Sequence, residues 1–230
     1  AGKVLHRHAQ QLIAQAQEAE SVARSLAMGF EAEVCLAVDA LQSVGALAPA
    51  LAAFSESFPA TRLRVLETTL SGTTEALLEQ RADLILGPEV PVGFVGRPLR
   101  SATLIPVAAP SHPLCAQGRD IDEQDLRSHR QLVLRDSGAK RTIDAGWLQA
   151  EKRWTVSHFA TSIELLKSGL AFAFLPQGWI SKELAAGELM RLPLSQPMDR
   201  PVPIFLILAA QQAAGPATQG LADLLIQQLQ

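Results

Sequence analysis

The serine, histidine and aspartate side chains of this sequence are not spaced for catalysis. No serine lies in the Gly-x-Ser-x-Gly pattern of a nucleophile elbow, and no phosphate-binding glycine loop or dinucleotide fingerprint occurs. The turn at Gly87 does not replace such a loop, because Pro88 follows it and lacks the N–H group that a phosphate needs. The sequence therefore indicates binding without turnover, and it predicts neither a cofactor nor a metal.

The two cysteines are typical of a protein from a reducing compartment. Cys35 is expected in a buried strand, whereas Cys115 lies in the turn-rich stretch 110–118. The pair has neither metal-ligand spacing nor the pattern of a disulfide framework. Two free thiols are therefore favoured over a regulatory disulfide, and the protein is predicted to be cytoplasmic.

The composition is that of an ordinary globular domain with a slight negative charge. The 230 residues are 48% hydrophobic and 19% charged, and the formal net charge is -3. Domains that bind DNA by themselves usually carry a basic surplus, which this chain lacks. Its polar start has no apolar signal region, and no apolar run reaches the length of a membrane span. If the protein acts on DNA, we expect the DNA-binding part to be absent from this chain.

Residues 3–28 have the pattern of one long helix. Small and apolar residues recur at alternating spacings of four and three, which is the seam of a coiled coil kept over about three heptads. The seam consists of Leu5, Ala9, Leu12, Ala16, Ala19, Ala23 and Leu26. Such a helix either packs on its own domain or pairs with a second copy. The narrow, alanine-rich seam favours dimerisation.

Strand and helix patterns alternate in the rest of the chain. The stretch 33–87 reads β-α-β-α-β, with Pro59 ending its first helix and Ser71 as a candidate N-cap of its second. This order is typical of a parallel sheet covered by helices. A second α/β unit follows, with two strand-like pieces around Ser101 and with Leu170 expected to face inward.

The last strand and helix, 202–210 and 217–229, come after a complete second unit. Such a tail often returns to the first lobe, so the chain is expected to cross between lobes twice, near 106–107 and near 203–206. Two crossings form a hinge, and the crevice between the lobes is then the natural ligand site.

Six segments, taken together, resemble the effector-binding region of LysR-type transcriptional regulators. They occur in the family's order and at family-like separations, and the resemblance covers essentially the whole chain. The segments are the helix 3–28, the strand 34–38, Leu47-Ala48-Pro49 followed by Phe54 and Phe58-Pro59, then 77–84, 110–114 and 166–176.

The resemblance implies an α/β fold of two Rossmann-like lobes, of the periplasmic-binding-protein type II kind. Two crossover strands would join the lobes, and a long linker helix would precede them. The linker is expected over 1–29, the first lobe over 30–106 with 207–230, and the second lobe over 107–206. The winged helix-turn-helix that normally begins the family is not expected within this chain.

The family holds its inducer between the lobes, using loop residues and helix N-termini whose free N–H groups suit anions. Matching by position gives these candidate ligand-binding residues: Asp39, Ala40, Leu41, Leu70, Ser71, Gly72, Thr73, Gly87, Pro88, Asp136, Ser137, His158, Phe159 and Thr161.

Several of these residues have a second interpretation. Ser71 and Asp39 suit helix caps, His158 suits a surface histidine, and Phe159 suits the core. A basic group is expected to form a solvated face, and three tryptophans are expected to pack between elements; these are Arg135, Lys140, Arg141, Trp147, Trp154 and Trp179.

The function that the resemblance implies is sensing of a small, anionic metabolite by a domain that is not an enzyme. The expected partners are the effector, further copies in a homodimer or homotetramer, and promoter DNA only through the absent N-terminal domain, with no membrane. An extracytoplasmic solute-binding protein shares the two-lobed architecture, but it would need a signal peptide and has no use for a heptad helix. A two-lobed transferase is a third alternative, which turnover of a bound metabolite would identify.

Overall fold

The computed structural model describes residues 29–140, 147–210 and 213–229, together with His6, Leu12 and Ile13. Leu12 and Ile13 are helical and exposed. The other members of the predicted dimerisation seam lie outside the described residues, so the seam stays a prediction; they are Leu5, Ala9, Ala16, Ala19, Ala23 and Leu26.

The described residues form one mixed sheet of nine strands. The strands are β1 (Glu33–Asp39), β2 (Arg62–Thr68), β3 (Leu84–Gly87), β4 (Gly96–Ala108), β5 (Arg130–Leu134), β6 (Lys152–Val156), β7 (Phe172–Pro176), β8 (Met190–Arg191) and β9 (Arg200–Leu208). Their order is β2-β1-β3-β9-β4-β7-β5-β6, and β8 pairs with β4. The predicted parallel pairing is confirmed in both units, because β1 is parallel to β2 and β3, and β5 is parallel to β6 and β7.

In the described residues, five α-helices and two 3-10 turns lie between the strands, and a sixth helix follows the last strand. The helices are α1 (Ala48–Ser57), α2 (Ser71–Leu78), α3 (Glu123–Ser128), α4 (Phe159–Lys167), α5 (Ser181–Ala186) and α6 (Pro216–Leu229), and the turns are Val44–Leu47 and Gln177–Trp179. Among these helices none combines the length and the apolar character that crossing a membrane requires.

Two long strands, β4 and β9, join the two lobes. They pair antiparallel with each other, while β9 also pairs with β3 of the first lobe and β4 also pairs with β7 of the second. Leu104 is the residue of β4 that pairs both with Arg200 of β9 and with Pro176 of β7. The predicted two-lobed α/β architecture with two crossover strands is therefore confirmed. The lobe boundaries at 106–107 and 206–207 stay a prediction.

Two local predictions are corrected by the structure. The strand-like pieces around Ser101 are one strand, β4, in which the pairing register shifts between Leu99 and Ala102. Leu170 does not face inward but is 50% exposed. Gly169 has a left-handed backbone conformation that ends the helical segment, so Leu170 does not continue the inward-facing side of the helix.

Each lobe buries apolar residues on both faces of its part of the sheet. In the first lobe, Leu36 and Phe54 belong to the core beneath α1 and α6, while Ile85 belongs to the core on the other face. In the second lobe, Leu132 and Phe172 belong to cores on opposite faces. Central strands such as β1 and β3 therefore read as nearly continuous apolar runs, as expected where a sheet is covered on both sides.

Glu31 fastens the C-terminal helix to the start of the first strand. Its carboxylate accepts hydrogen bonds from the backbone N–H groups of Ala217, at 2.9 Å, and Thr218, at 3.0 Å, in the first turn of α6. Partial burial raises the pKa of Glu31, but these hydrogen bonds outweigh it and hold the pKa below its ordinary value. The carboxylate thus caps the helix in its ionised form.

We expect Glu31→Gln to lower the free energy of unfolding at neutral pH by about 1 kcal/mol, the usual worth of a helix cap. A depressed carboxyl pKa stabilises the fold above its unfolded value and loses that effect as the pH falls through the folded value. The deficit of Glu31→Gln, measured by urea unfolding, should therefore shrink on acidification. Glu33→Gln is the matched control, because Glu33 forms only an exposed ion pair with Arg64. A deficit equal to that of the control at neutral pH would contradict the capping role.

Candidate functional site

A cavity of about 260 Å³ lies between the two lobes. The first lobe contributes the loops after β1, β2 and β3, the second lobe contributes β5, α4 and β7, and the crossover strands close one side. The lining residues are Asp39, Ala40, Leu41, Thr69, Leu70, Pro88, Glu89, Leu104, Gln131, Leu132, Val133, Leu134, Trp147, Leu148, Phe159, Ser162, Phe174, Leu175, Arg200 and Val202. A molecule in this cavity would contact both lobes and both crossover strands.

Apolar side chains form most of the cavity wall. Among the described lining residues only three carry charge, and these are Asp39, Glu89 and Arg200. Asp39 is 2% exposed, whereas Arg200 lies exposed at the start of β9. The described lining is therefore suited to a mainly apolar ligand with a few polar groups.

Asp39 ties the end of β1 to the start of α2. Its Oδ1 accepts a hydrogen bond from the N–H of Leu41 at 2.9 Å, and its Oδ2 accepts from the N–H of Leu70 at 3.0 Å and from the hydroxyl of Thr73 at 2.9 Å. Burial raises the pKa of Asp39 to about 6, although these hydrogen bonds oppose the shift. Because both oxygens already accept hydrogen bonds, Asp39 positions the loops of the cavity.

A loop of the second lobe lies directly on the start of α2. The N–H of Thr69 donates to Ser137 Oγ at 2.8 Å, and the Thr69 hydroxyl donates to the carbonyl oxygen of Arg135 at 2.6 Å. Ser71 Oγ donates to Asp136 Oδ2 at 2.7 Å. The expected N-cap role of Ser71 is wrong, because Leu70 occupies the cap position and Ser71 is the first helical residue. Its hydroxyl instead bridges the lobes.

Glu75 extends this contact along α2. It is 5% exposed, and its carboxylate accepts hydrogen bonds from the N–H groups of Ala139, at 2.7 Å, and Lys140, at 3.2 Å. The Lys140 ammonium forms an ion pair with Glu79 at 2.9 Å. Of the predicted basic face, Lys140 is therefore paired with the first lobe, and Arg141 lies outside the described residues.

A second compartment of about 330 Å³ lies beside the cavity and shares Ala40, Thr69 and Phe159 with it. Trp179, which was expected to pack between elements, donates its indole N–H to the carbonyl oxygen of Ala40 at 2.8 Å. His158 Nδ1 lies 4.0 Å from Glu67 Oε2 on the rim, where both side chains are exposed.

The structure brings the predicted ligand-binding residues to three different places. The residues that line the cavity are Asp39, Ala40, Leu41, Leu70, Pro88 and Phe159. Those that line the second compartment are Ala40, Ser137, His158 and Phe159. Neither set includes Ser71, Gly72, Thr73, Gly87, Asp136 and Thr161. Thr161 is exposed, and the other five are buried at or beside the lobe contact.

Sequence reasoning missed most of the second-lobe wall. Gln131 through Leu134 belong to β5, for which the sequence predicts only a buried strand, and Trp147 is predicted only to pack between elements. Trp147 does pack, with its ring centroid 5.9 Å from that of Phe172 and 6.0 Å from that of Phe174, but it also lines the cavity. The one usable signal was Gln131, a polar residue at the start of an otherwise apolar strand.

The lobe contact at α2 depends on the missing side chain of Gly72. A Cβ atom at this position would overlap the Ser137 hydroxyl and lie 3.0 Å from the Ser137 carbonyl carbon. We expect Gly72→Ala to push this loop away, lowering the free energy of unfolding by about 1–3 kcal/mol and speeding hydrogen exchange at the Ala139 amide. Gly178→Ala is the control, because a Cβ there meets nothing within 4 Å. Exchange at Ala139 that matches the wild type would refute the tight contact.

The raised pKa of Asp39 predicts a pH-dependent stability. Since the folded pKa of about 6 lies above the ordinary value of 3.8, protonation of Asp39 favours the folded state. The stability of the wild type relative to Asp39→Asn should therefore fall as the pH rises from about 4 to about 7, by at most about 3 kcal/mol. Urea unfolding of both proteins measures this difference. The buried side chain of His112 titrates in both proteins, so its contribution to the pH dependence cancels in the comparison. A difference that stays constant with pH would contradict the shifted pKa.

Comparison with known proteins identifies the family. A family model described as "LysR substrate binding domain" matches residues 28–230. The uncharacterized HTH-type transcriptional regulator YeeY of Escherichia coli is 29% identical over 194 residues, which cover 82% of this chain and 63% of that protein. The chain thus spans less than two thirds of the length of this relative.

Solved structures show the same fold. The regulatory domain of CrgA from Neisseria meningitidis matches with a TM-score of 0.68 and 20% identity, covering 87% of this chain and 100% of that one. The effector-binding domain of QuiR in complex with shikimate matches with a TM-score of 0.62 and 16% identity, covering 86% and 96%. The chain is therefore an effector-binding regulatory domain, not an enzyme, and it belongs to the LysR substrate-binding domain family.

Proposed function

We propose that a small metabolite binds in the cavity between the lobes and that the resulting change in lobe arrangement controls a DNA-binding domain of the full-length regulator. The observation that carries this proposal is the shared wall of the cavity, to which Leu41 of the first lobe, Phe159 of the second and Val202 of a crossover strand all contribute. The affinity of a molecule with such contacts depends on the angle between the lobes.

The hydrogen bonds between the lobes support a change in the angle between the lobes as the response to ligand binding. The Thr69–Ser137 and Glu75–Ala139 hydrogen bonds hold the crevice at the start of α2, away from the crossover strands. A ligand shifts this arrangement only by its different affinity for the two states. The QuiR domain, which shares the fold, is complexed with shikimate, and this favours a small-molecule effector here as well.

The charge of the effector is expected to be recognised away from α2. An anion was expected because helix N-termini offer free N–H groups, but Asp136 and Ser137 contact the start of α2. Asp39 and Glu89 add negative charge to the cavity, while Arg200 is the only cationic residue among the described lining residues. We therefore place any carboxylate of the effector at Arg200, on the crossover strand.

The remaining partners are proposed from the family and from the heptad pattern. A homodimer or homotetramer would form through the seam of residues 3–28, and promoter DNA would be bound by a helix-turn-helix domain in the cytoplasm. Family membership favours this role over the alternative of an extracytoplasmic solute-binding protein.

A cavity-filling variant tests the proposed site. Ser162 is buried in α4 and lines the cavity, so Ser162→Leu should fill part of it and weaken any effector at least about tenfold. A metabolite panel is screened by thermal shift on the wild type, and each stabilising compound is then titrated calorimetrically into the variant.

Thr161→Leu is the matched control, because Thr161 is the exposed neighbour of Ser162 on the same helix and lines neither compartment. Binding should be unchanged in this control. Equal binding by wild type and Ser162→Leu would exclude the cavity as the effector site.

A further inference from the structure

Two residues that line the cavity each carry a buried polar atom without a hydrogen-bond partner. The atoms are Oε1 of Gln131, which can only accept, and the indole Nε1 of Trp147, which can only donate. Among the described residues one further buried side-chain atom shares this condition, on Glu183, which lies outside the cavity lining. Native proteins pair nearly all such atoms, so two of them on residues that line one cavity point to a ligand with complementary polar groups.

The orientation of the Gln131 amide is fixed by its other hydrogen bond. Gln131 is 3% exposed, and its Nε2 donates to the carbonyl oxygen of Trp147 at 2.7 Å. Exchanging the amide nitrogen and oxygen would set two acceptors against each other. Gln131 therefore offers its oxygen as the unused group, and the residue it contacts, Trp147, offers an unused donor.

Apolar side chains form another part of the same cavity wall. Phe174 and Leu175 of β7, with Leu104 and Val202 of the crossover strands, line the same cavity. A cavity of about 150 Å³ holds one benzene ring, so the 260 Å³ found here suits a substituted ring or a fused pair of rings. The one cationic residue of the described lining, Arg200, is exposed at the start of β9, whereas Gln131 is buried.

Together these features lead to a specific ligand class, which rests on the proposed function of the cavity. We propose that the effector is recognised through an uncharged ring that carries an N–H or O–H group and a carbonyl group, as in a lactam or a hydroxylated heteroaromatic. The donor group pairs with Gln131 Oε1, the carbonyl oxygen pairs with the Trp147 indole N–H, and the ring packs on the aromatic and leucine side chains. A carboxylate, where the effector has one, is a peripheral group at Arg200.

The class has a measurable consequence for specificity. A site that leaves a buried acceptor and a buried donor unpaired discriminates strongly against analogues that lack one of the two matching groups. An analogue with a blocked N–H keeps its apolar contacts but leaves Gln131 Oε1 unpaired. Its affinity should therefore fall by more than the loss of one apolar contact explains.

The test uses carbostyril, a bicyclic lactam, and N-methylcarbostyril, whose N–H is blocked. Calorimetric titration into the wild-type chain should show carbostyril binding at least about tenfold more tightly than its N-methyl analogue. Gln131→Met should remove most of this preference, because it deletes the acceptor of the lactam N–H while keeping side-chain bulk. Trp147→Phe should weaken the binding of both probes, because both keep the carbonyl group that the indole N–H would bind.

Gln149→Met is the matched control, because Gln149 is exposed and lies outside the cavity lining. Equal binding of the two probes, carbostyril binding unchanged in both cavity variants, or no carbostyril binding would each overturn the ligand class. The proposed function would survive any of these results if Ser162→Leu still blocked a compound of the metabolite panel. The proposed function would be contradicted only if Ser162→Leu bound the compounds of the panel with the same affinity as the wild type.

Discussion

The arrangement of this domain depends on the contact between a second-lobe loop and the first turn of α2. Here backbone groups, three hydroxyls and two carboxylates from the two lobes form hydrogen bonds with one another, as in the Ser71–Asp136 and Glu75–Ala139 pairs. Buried groups of this kind are costly to leave unpaired, so the contact persists only while the loop stays within hydrogen-bond reach of the helix. The width of the crevice, and with it the shape of the cavity, follows from this contact.

Asp39 plays the corresponding part within the first lobe. By accepting hydrogen bonds from Leu41, Leu70 and Thr73, it draws the ends of β1 and β2 together at one edge of the sheet. The three donors offset only part of the cost of burying this carboxylate, and its pKa stays raised. Asp39 thus fixes the backbone of the loops that reach the cavity, and apolar atoms of these loops line it.

The sequence allowed much of this fold to be predicted, because apolar runs bounded by Pro59 or Gly169 mark strands and helices by local rules. The family pattern also located the crevice and six of its lining residues. It failed for Ser71, since nothing in the local sequence reveals that a loop 65 positions later supplies Asp136 as partner. It failed for β5 because a strand that is apolar throughout does not show which of its residues border a void. Gln131 and Trp147 become informative only when their unpaired atoms are seen together.

The register shift in β4 has a mechanical consequence. The crossover strands β4 and β9 are hydrogen-bonded to each other on both sides of the interval from Leu99 to Ala102, where the ladder is interrupted. The two strands therefore bend as one ribbon rather than as independent tethers, and the ribbon is softest where a bulge already breaks its ladder. Such a ribbon resists sliding of one lobe past the other, because sliding would break the ladder along its whole length. Bending of the paired strands at this interval is therefore favoured over sliding as the relative movement of the lobes.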